Sequence, residues 1–298
     1  MSFQKNGSNA LPSSLIVVVP ARNEGTMISN VITAIQAVTG NIVVVDDRSA
    51  DDTATIARTM RVNLVTTTEQ SGYGSALRRG FEFAIEHGFS TIVTLDGDGA
   101  HDPSQIAELY SAHQSTDCCL SIGDRFSWTS ESFIPSSKRL ANRIASHVVN
   151  KLLGTSLKDV ACGFRMIETN FAKKLLERPT SNGFGFAYEL LAAAATDRRA
   201  IGSAPVDVRY DASEILCTNQ NELLEFLEVT HREAVRCADL YRALGGLKSA
   251  VANLKGATMV LPNSVICAIP VQQVNGYIFQ AQHPFLHTRS IGDTFSLA

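Results

Sequence analysis

Two carboxylates separated by a glycine, Asp96-Gly97-Asp98, follow directly on the apolar run 91–95. In a tight turn at a strand end, such a pair supplies hard oxygen ligands for one Mg²⁺ or Mn²⁺, and the cation can bridge to the oxygens of a diphosphate. The flanking glycines let the chain turn sharply and let a ligand come close. A solvated acidic loop is the plain alternative. A second polar cluster runs from Asp46 and Asp47 to Asp52 at the end of another apolar run. There Asp46 or Asp47 can accept hydrogen bonds from a base edge or a ribose, whereas Asp51 or Asp52 is better placed to cap a helix. A third cluster, Pro20-Ala21-Arg22-Asn23-Glu24, ends the first run. The segment 72–80, GYGSALRRG, opens or precedes a helix. It has neither GxGxxG spacing nor the GK[ST] of a phosphate-binding loop, so Gly72 and Gly74 serve either close packing or ligand approach.

These clusters need a scaffold that brings them together, and the rest of the first two-thirds of the chain supplies one. Short β-branched runs at 15–19, 42–45, 62–66, 91–95 and 118–122 alternate with helical patterns. Continuous apolar strands of this kind suit a parallel sheet buried on both faces. Met27, Ile28, Val31, Ile32, Ile35 and Val38 recur at helical spacing between the first two runs, and Asp52 is placed to cap a short helix carrying Ile56 and Met60. The alternation predicts an α/β sheet with right-handed crossovers, in which ligands bind at the carboxyl ends of the strands. The polar clusters all fall at strand ends, so they converge on one edge. Further on, the pattern predicts helices at 137–153 and 187–196, a strand at 164–167 followed by a helix to about 176, and a closing strand at 206–209. After residue 213 the character changes, with one long amphipathic helix at 222–244 and weak patterning from 245. The expected organisation is a flexible stretch 1–12, an α/β domain 13–213 and a mainly helical extension 214–298.

Several motifs occur in one order: Pro20-Ala-Arg-Asn23-Glu24; Asp46-Asp47-Arg-Ser49-Ala-Asp51-Asp-Thr53; Gly72-x-Gly74-x-Ala76-Leu-x-x-Gly80; and Asp96-Gly-Asp98-Gly-Ala-His101-x-Pro103. They continue with Gly123-x-Arg125, Arg139-x-Ala-Asn142, Asp159-x-x-Cys-Gly163-Phe-Arg165 and Glu189-Leu-Leu. Over residues 15 to 210 the set resembles family 2 glycosyltransferases, in the dolichyl-phosphate mannose synthase-like branch. The resemblance implies a GT-A fold and an inverting, metal-dependent transfer of a hexosyl group from a nucleotide-sugar donor, GDP-mannose or a UDP-sugar. Pro20, Ala21, Arg22, Asn23 and Glu24 then match the first nucleotide-binding loop, Asp46 or Asp47 the second, and Gly72 and Gly74 the glycine-rich turn. Asp96, Gly97 and Asp98 match the metal motif, with Mg²⁺ or Mn²⁺ on the two aspartates. Arg125, Arg139 and Arg165 match positions expected to meet phosphates or the acceptor, and guanidinium groups bind such oxygens bidentately. Asp98, Arg125 and Glu189 are the residues expected to serve catalysis.

Three departures stand out. Relatives commonly carry Gln where this chain has Ala100, and Asp where it has Ala187. Many also carry C-terminal membrane helices, whereas the best apolar candidate here, 257–271, is short and interrupted by Pro262 and Pro270. The expected acceptor is a polyprenyl phosphate or a soluble molecule. Two other readings compete with transfer: a non-catalytic nucleotide-sugar sensor, motivated by Ala100 and Ala187, and a haloacid dehalogenase-like phosphatase with Asp96 as nucleophile. The phosphatase motif belongs near the first strand, and here it follows the fourth apolar run.

Bulk properties narrow the field further. The 298 residues are 45% hydrophobic and 18% charged, ordinary for a protein with a sizeable core. A net charge of −3 argues against a generic nucleic-acid binder. Six cysteines form no CxxC pair, which fits reduced structural thiols of a cytoplasmic protein. The polar first ten residues lack a signal-peptide core. A cytoplasmic enzyme is expected, with peripheral membrane contact and a homo-oligomer both left open. His283 and His287 have HxxxH spacing broken by Pro284, and Trp128, Phe184 and Phe186 either line an acceptor entrance or pack.

Overall fold

The computed structural model describes residues 11–68, 70–127, 134, 136–178, 180–197 and 201–209, together with 273–274 and 277–278. Four strands in chain order build the first half of the sheet: β1 (Leu15–Ala21), β2 (Ile42–Asp46), β3 (Asn63–Thr66) and β4 (Thr91–Thr94). They pair in parallel in the order β3-β2-β1-β4. The crossovers are α1 (Ile28–Gln36), α2 (Thr53–Thr59) and α3 (Tyr73–Glu86). All of β1 and β2 is buried, as expected of strands covered on both faces. The apolar stripe of α1, made by Ile28, Val31, Ile32 and Ile35, is buried against them. On α3 the contact is closer still: a Cβ on Gly80 would lie 2.2 Å from Val18 Cγ1, so only glycine lets this helix sit down on β1.

The second half contains α4 (Ile106–Thr116), β5 (Leu120–Asp124), α5 (Ser136–Leu153), β6 (Arg165–Glu168), α6 (Thr169–Leu176), α7 (Gly185–Thr196) and β7 (Gly202–Pro205). The seven-stranded order is β3-β2-β1-β4-β6-β5-β7, with β6 antiparallel to both neighbours and β7 parallel to β5. The sheet is therefore mostly parallel with one reversed strand, inserted between β4 and β5.

Several local expectations shift. The closing strand is β7 at Gly202–Pro205 rather than 206–209; Val208 makes only an isolated bridge, to His101. Gly-Ser-Ala-Pro has little intrinsic strand preference, so pairing to the edge of β5 decides its conformation, and Pro205 is tolerated because β7 is itself an edge. Cys118 and Cys119 are buried, as expected, but precede β5, because Asp117 ends α4 in a left-handed conformation and delays the strand. Asp52 occupies the position before α2 without capping it; Asp51 does so instead, accepting from Thr53 N at 3.0 Å. Two short strands, β8 (Gln273–Val274) and β9 (Tyr277–Ile278), pair antiparallel. The expected helix 222–244, the apolar stretch 257–271, Trp128, His283 and His287 lie outside the described residues. Among those described, no helix is long and apolar enough to cross a membrane.

Candidate active site

The carboxyl ends of β1, β2 and β4 carry the three polar clusters, and the structure packs them against one another. The first loop is stapled to the second by four hydrogen bonds. Asn23 N donates to Ser49 Oγ (2.9 Å), Glu24 N to Thr53 Oγ1 (2.8 Å) and Gly25 N to Asp51 Oδ2 (2.8 Å), while Ala50 N donates to Asn23 Oδ1 (2.8 Å). Asn23 and Arg48 hold positive φ at these bends. Pro20 and Ala21 are buried, while Arg22 and Asn23 are exposed on the rim. Gly97 seats the third cluster on the first: a Cβ there would meet Glu24 Cγ and Pro20 O, each at 3.3 Å.

Asp46 and Asp47, equivalent candidates by sequence, separate in the fold. Both are buried. Asp47 turns inward, where Oδ1 accepts from Thr67 Oγ1 (3.1 Å), Ser71 N (2.9 Å) and Ser71 Oγ (3.1 Å), and Oδ2 from Gly72 N (2.9 Å). Burial raises its pKa, yet these donors outweigh burial and hold it below the usual carboxylate value. Asp47 thus shapes the turn that leads into α3. Among the described residues the Asp46 carboxylate accepts from Ser49 N alone, on Oδ1 at 3.2 Å, which leaves Oδ2 for another donor.

Asp96 is half-buried at the end of β4 and packs on the bare Cα of Gly163, where a Cβ would come within 2.2 Å of Oδ2. Its Oδ1 accepts the Tyr73 hydroxyl at 3.1 Å. Asp98 Oδ1 accepts Ala100 N at 2.9 Å, which closes the turn. Burial, and then the nearby charge of Asp98, push the Asp96 pKa up to about 6. Two crowded carboxylates with oxygens left over are the donor set a hard divalent cation relieves, so the pair fits Mg²⁺ or Mn²⁺. Two carboxylates leave the remaining positions to water and ligand oxygens, as Mg²⁺ sites commonly do, and no group of three protein ligands occurs among the described residues.

The three arginines take different positions. Arg125, at the end of β5, is clamped by Asp159, with Nε to Oδ2 at 2.6 Å and Nη2 to Oδ1 at 2.8 Å, close enough that its charge lowers the pKa of Asp96. Arg165 is buried, and its guanidinium donates to the carbonyls of Cys162 (2.8 Å), Val160 (3.0 Å) and Ala187. It ties the loop 160–163 to α7, and it too lowers the pKa of Asp96 through its charge. Arg139 lies half-buried on α5. Three residues on, Asn142 holds the loop that carries Asp159, donating to Lys158 O (2.8 Å) and accepting Val160 N (3.3 Å).

Glu189, on α7, is buried and accepts from Ser181, with N at 2.9 Å and Oγ at 3.1 Å. The loop it holds presses on the start of α3. Ser75 N donates to Asn182 O (3.0 Å), and a Cβ on Gly72 or Gly74 would come within 2.7 Å of Asn182 O or 2.5 Å of Ser181 O. The Ser75–Asn182 bond joins backbone to backbone, so it fixes the path of the loop whatever the side chains do. The loop ends on Phe184, which is 41% exposed and stacks on the Tyr73 ring with centroids 4.6 Å apart. Phe186 points the other way into the core against Phe81. Tyr73 and its bond to Asp96 are what the sequence motifs missed; Phe184 was a candidate for an acceptor entrance, and the glycines of Gly72-Tyr-Gly74 are explained by packing against this loop.

His101 is buried behind the Asp96–Asp98 turn, with Nε2 3.9 Å from Cys162 Sγ and Nδ1 without a hydrogen-bond partner among the described residues. Burial drives its pKa down to about 3, so the ring is neutral. Ala100 belongs to a small apolar cluster with Ile134 and Val208, so its place beside the turn is taken by an apolar contact.

Comparisons with known proteins agree with this architecture. The sequence model described as Glycosyl transferase family 2 matches residues 16–176, more than half of the chain. An undecaprenyl-phosphate mannosyltransferase of Micrococcus luteus is 29% identical over 50% of this chain and 64% of its own length. The chain thus spans slightly less than two thirds of that relative. A polyprenol monophosphomannose synthase of Mycolicibacterium smegmatis is 26% identical over 59% of this chain and 69% of its own. Among solved structures, glucosyl-3-phosphoglycerate synthase of Mycobacterium tuberculosis, in complex with Mn²⁺, UDP-glucose and phosphoglyceric acid, superposes with a TM-score of 0.51. It is 20% identical and covers 72% of this chain and 79% of its own, a likeness of fold. With the GT-A sheet order, the strand-end clusters and the family match in agreement, the chain belongs to glycosyl transferase family 2.

Proposed function

We propose that this protein transfers a hexosyl group, with inversion, from a nucleotide-sugar to a polyprenyl phosphate. The observation that carries the reading is the convergence of the loops after β1, β2 and β4 on the Asp96–Asp98 pair. The loop Pro20–Glu24 and Asp46 would hold the nucleoside, with Asp46 Oδ2 accepting from the base or ribose. Asp47 supports that surface from behind through Ser71 and Gly72. Asp96 and Asp98 would hold Mg²⁺ or Mn²⁺, which when bound neutralises charge building on the departing diphosphate. Arg125, fixed by Asp159, adds a preorganised positive charge nearby.

The choice of acceptor follows from the carboxylates. A hydroxyl acceptor needs a base to take its proton, whereas a phosphate oxygen is already anionic. Glu189 is buried and its carboxylate accepts hydrogen bonds from Ser181, so it is engaged in holding the loop. This favours phosphate over hydroxyl, and the names of the two polyprenyl relatives support the same class. Such an acceptor is met at a membrane surface, which a peripheral enzyme can reach.

The test is turnover of GDP-mannose and UDP-glucose with Mn²⁺, offered undecaprenyl phosphate or undecaprenol. Product from the phosphate alone is expected, and Asp98→Asn should abolish it. Full activity in Asp98→Asn would remove the metal assignment. Donor binding with no transfer or hydrolysis would make the protein a nucleotide-sugar sensor instead.

A further inference from the structure

Away from the metal turn, α3 and the end of α6 enclose a cleft of about 290 Å³. Its walls carry Arg78, Arg79 and Arg178, the hydroxyls of Ser75 and Thr180, and one carboxylate, Glu82. Three guanidinium groups and one carboxylate line it, in a chain whose net charge is −3. The carboxylate is already answered: Arg79 Nη1 lies 3.1 Å from Glu82 Oε2. Both members of that pair are largely exposed, so it yields readily to a better partner. Arg78 spends one Nη1 bond on Thr180 Oγ1 (3.1 Å) and one Nη2 bond on Asn182 Oδ1, and a guanidinium has five N–H donors.

We propose that this cleft binds a phosphate group and that its occupancy tightens the donor site. Planar guanidinium forks and hydroxyl donors are the set that recognises tetrahedral oxyanions, and the small polar cavity suits a phosphate or a compact phosphate ester. The route to the donor site is short. Arg78 grips Thr180 and Asn182, the same loop that presses on Gly72 and Gly74 and ends on Phe184. Phe184 stacks on Tyr73, and the Tyr73 hydroxyl bonds Asp96. An anion shared by Arg78, Arg178 and Thr180 steadies that loop, and with it the aromatic pair beside the metal turn. Coupling of this kind is reciprocal, so donor must also tighten the anion.

Inorganic phosphate is the probe, titrated by calorimetry at ionic strength held constant with chloride, because bulk salt screens exposed charges. Saturable binding is expected in the wild type and in Asp98→Asn, which removes the donor-side metal site. The double variant Arg79→Gln/Arg178→Gln should bind about tenfold more weakly or worse, the loss of charge-assisted hydrogen bonds. Phosphate should lower the Kd for UDP-glucose in the wild type and leave it unchanged in the double variant. Arg79→Gln alone, on an exposed side chain, guards against a folding defect and should give an intermediate loss. Sedimentation with phosphatidic acid vesicles, against phosphatidylcholine vesicles, identifies the source: loss of vesicle binding in the double variant assigns a lipid headgroup, and no vesicle binding assigns a soluble phosphate. Absence of saturable phosphate binding, or equal affinity in wild type and double variant, overturns the site. Phosphate binding without any effect on donor affinity overturns the coupling.

Discussion

Replacing Gly163 by alanine tests the Asp96–Asp98 turn without removing a single polar atom. The new Cβ would lie 2.2 Å from Asp96 Oδ2, 2.9 Å from Cγ and 3.0 Å from Oδ1. Ordinary contact begins near 3.4 Å, so one partner must withdraw by roughly 1 Å. Gly163 is poorly able to do so. Cys162 and Phe164 on either side are fully buried, and the Gly163 carbonyl accepts the Thr94 hydroxyl at 2.6 Å. Asp96 therefore moves, and its bond to Tyr73 weakens. Displacing a positioned group by this much costs on the order of 100-fold in turnover. The fold should lose only about 1–3 kcal/mol, as for an overpacked site. The assays are kcat/KM with donor and Mn²⁺, Mn²⁺ affinity by calorimetry in the presence of nucleoside diphosphate, and urea unfolding. A Gly163→Ala protein with Mn²⁺ affinity and turnover within twofold of wild type, on the order of 0.4 kcal/mol, would refute the claim that this close packing positions Asp96.

Other perturbations separate positioning from support. Tyr73→Phe removes only the hydroxyl that bonds Asp96 and keeps the stack on Phe184; turnover should drop about tenfold, with the melting temperature nearly unchanged, and an unaltered kcat/KM would leave Tyr73 a packing residue. Asp47→Asn puts an amide where three donors meet on Oδ1 or one on Oδ2, and should cost about 1–3 kcal/mol in urea unfolding while weakening donor binding. His101 supplies a pH dependence. Its folded pKa, about 3, lies below the ordinary 6.5, so the unfolded chain takes up a proton that the folded chain refuses, and this contribution to stability falls as pH drops below 6.5. His101→Gln should lack that component, so the stability gap between wild type and variant should shift by at most about 1.4 kcal/mol per pH unit between pH 6.5 and 4.5. A gap that stays constant with pH would mean that His101 does not remain neutral.

The apolar runs and polar strand ends were enough to gather the three polar clusters at one edge, because a parallel sheet with right-handed crossovers carries every such end to the same side. That inference needed only local patterns: β-branched runs for β1, β2 and β4, and an amphipathic stripe for α1. The Asp96–Asp98 turn was legible for the same reason, since its residues are close in sequence. Tertiary structure decided what the sequence left open or misplaced. Asp46 and Asp47 are adjacent, and alternation along the strand end turns one toward Ser49 and the other into Thr67, Ser71 and Gly72. Glu189 and Arg165 matched family positions, yet their partners lie on Ser181 and on the carbonyls of residues 160, 162 and 187. The strand β7, of Gly-Ser-Ala-Pro, exists because β5 offers an unpaired edge. Tyr73 meets Asp96 across 23 positions and Gly163 meets it across 67, contacts that no local pattern encodes. The sequence by itself determined which chemistry gathers at the sheet edge; only long-range packing decided which of those side chains stay open at that edge and which hold the others in place.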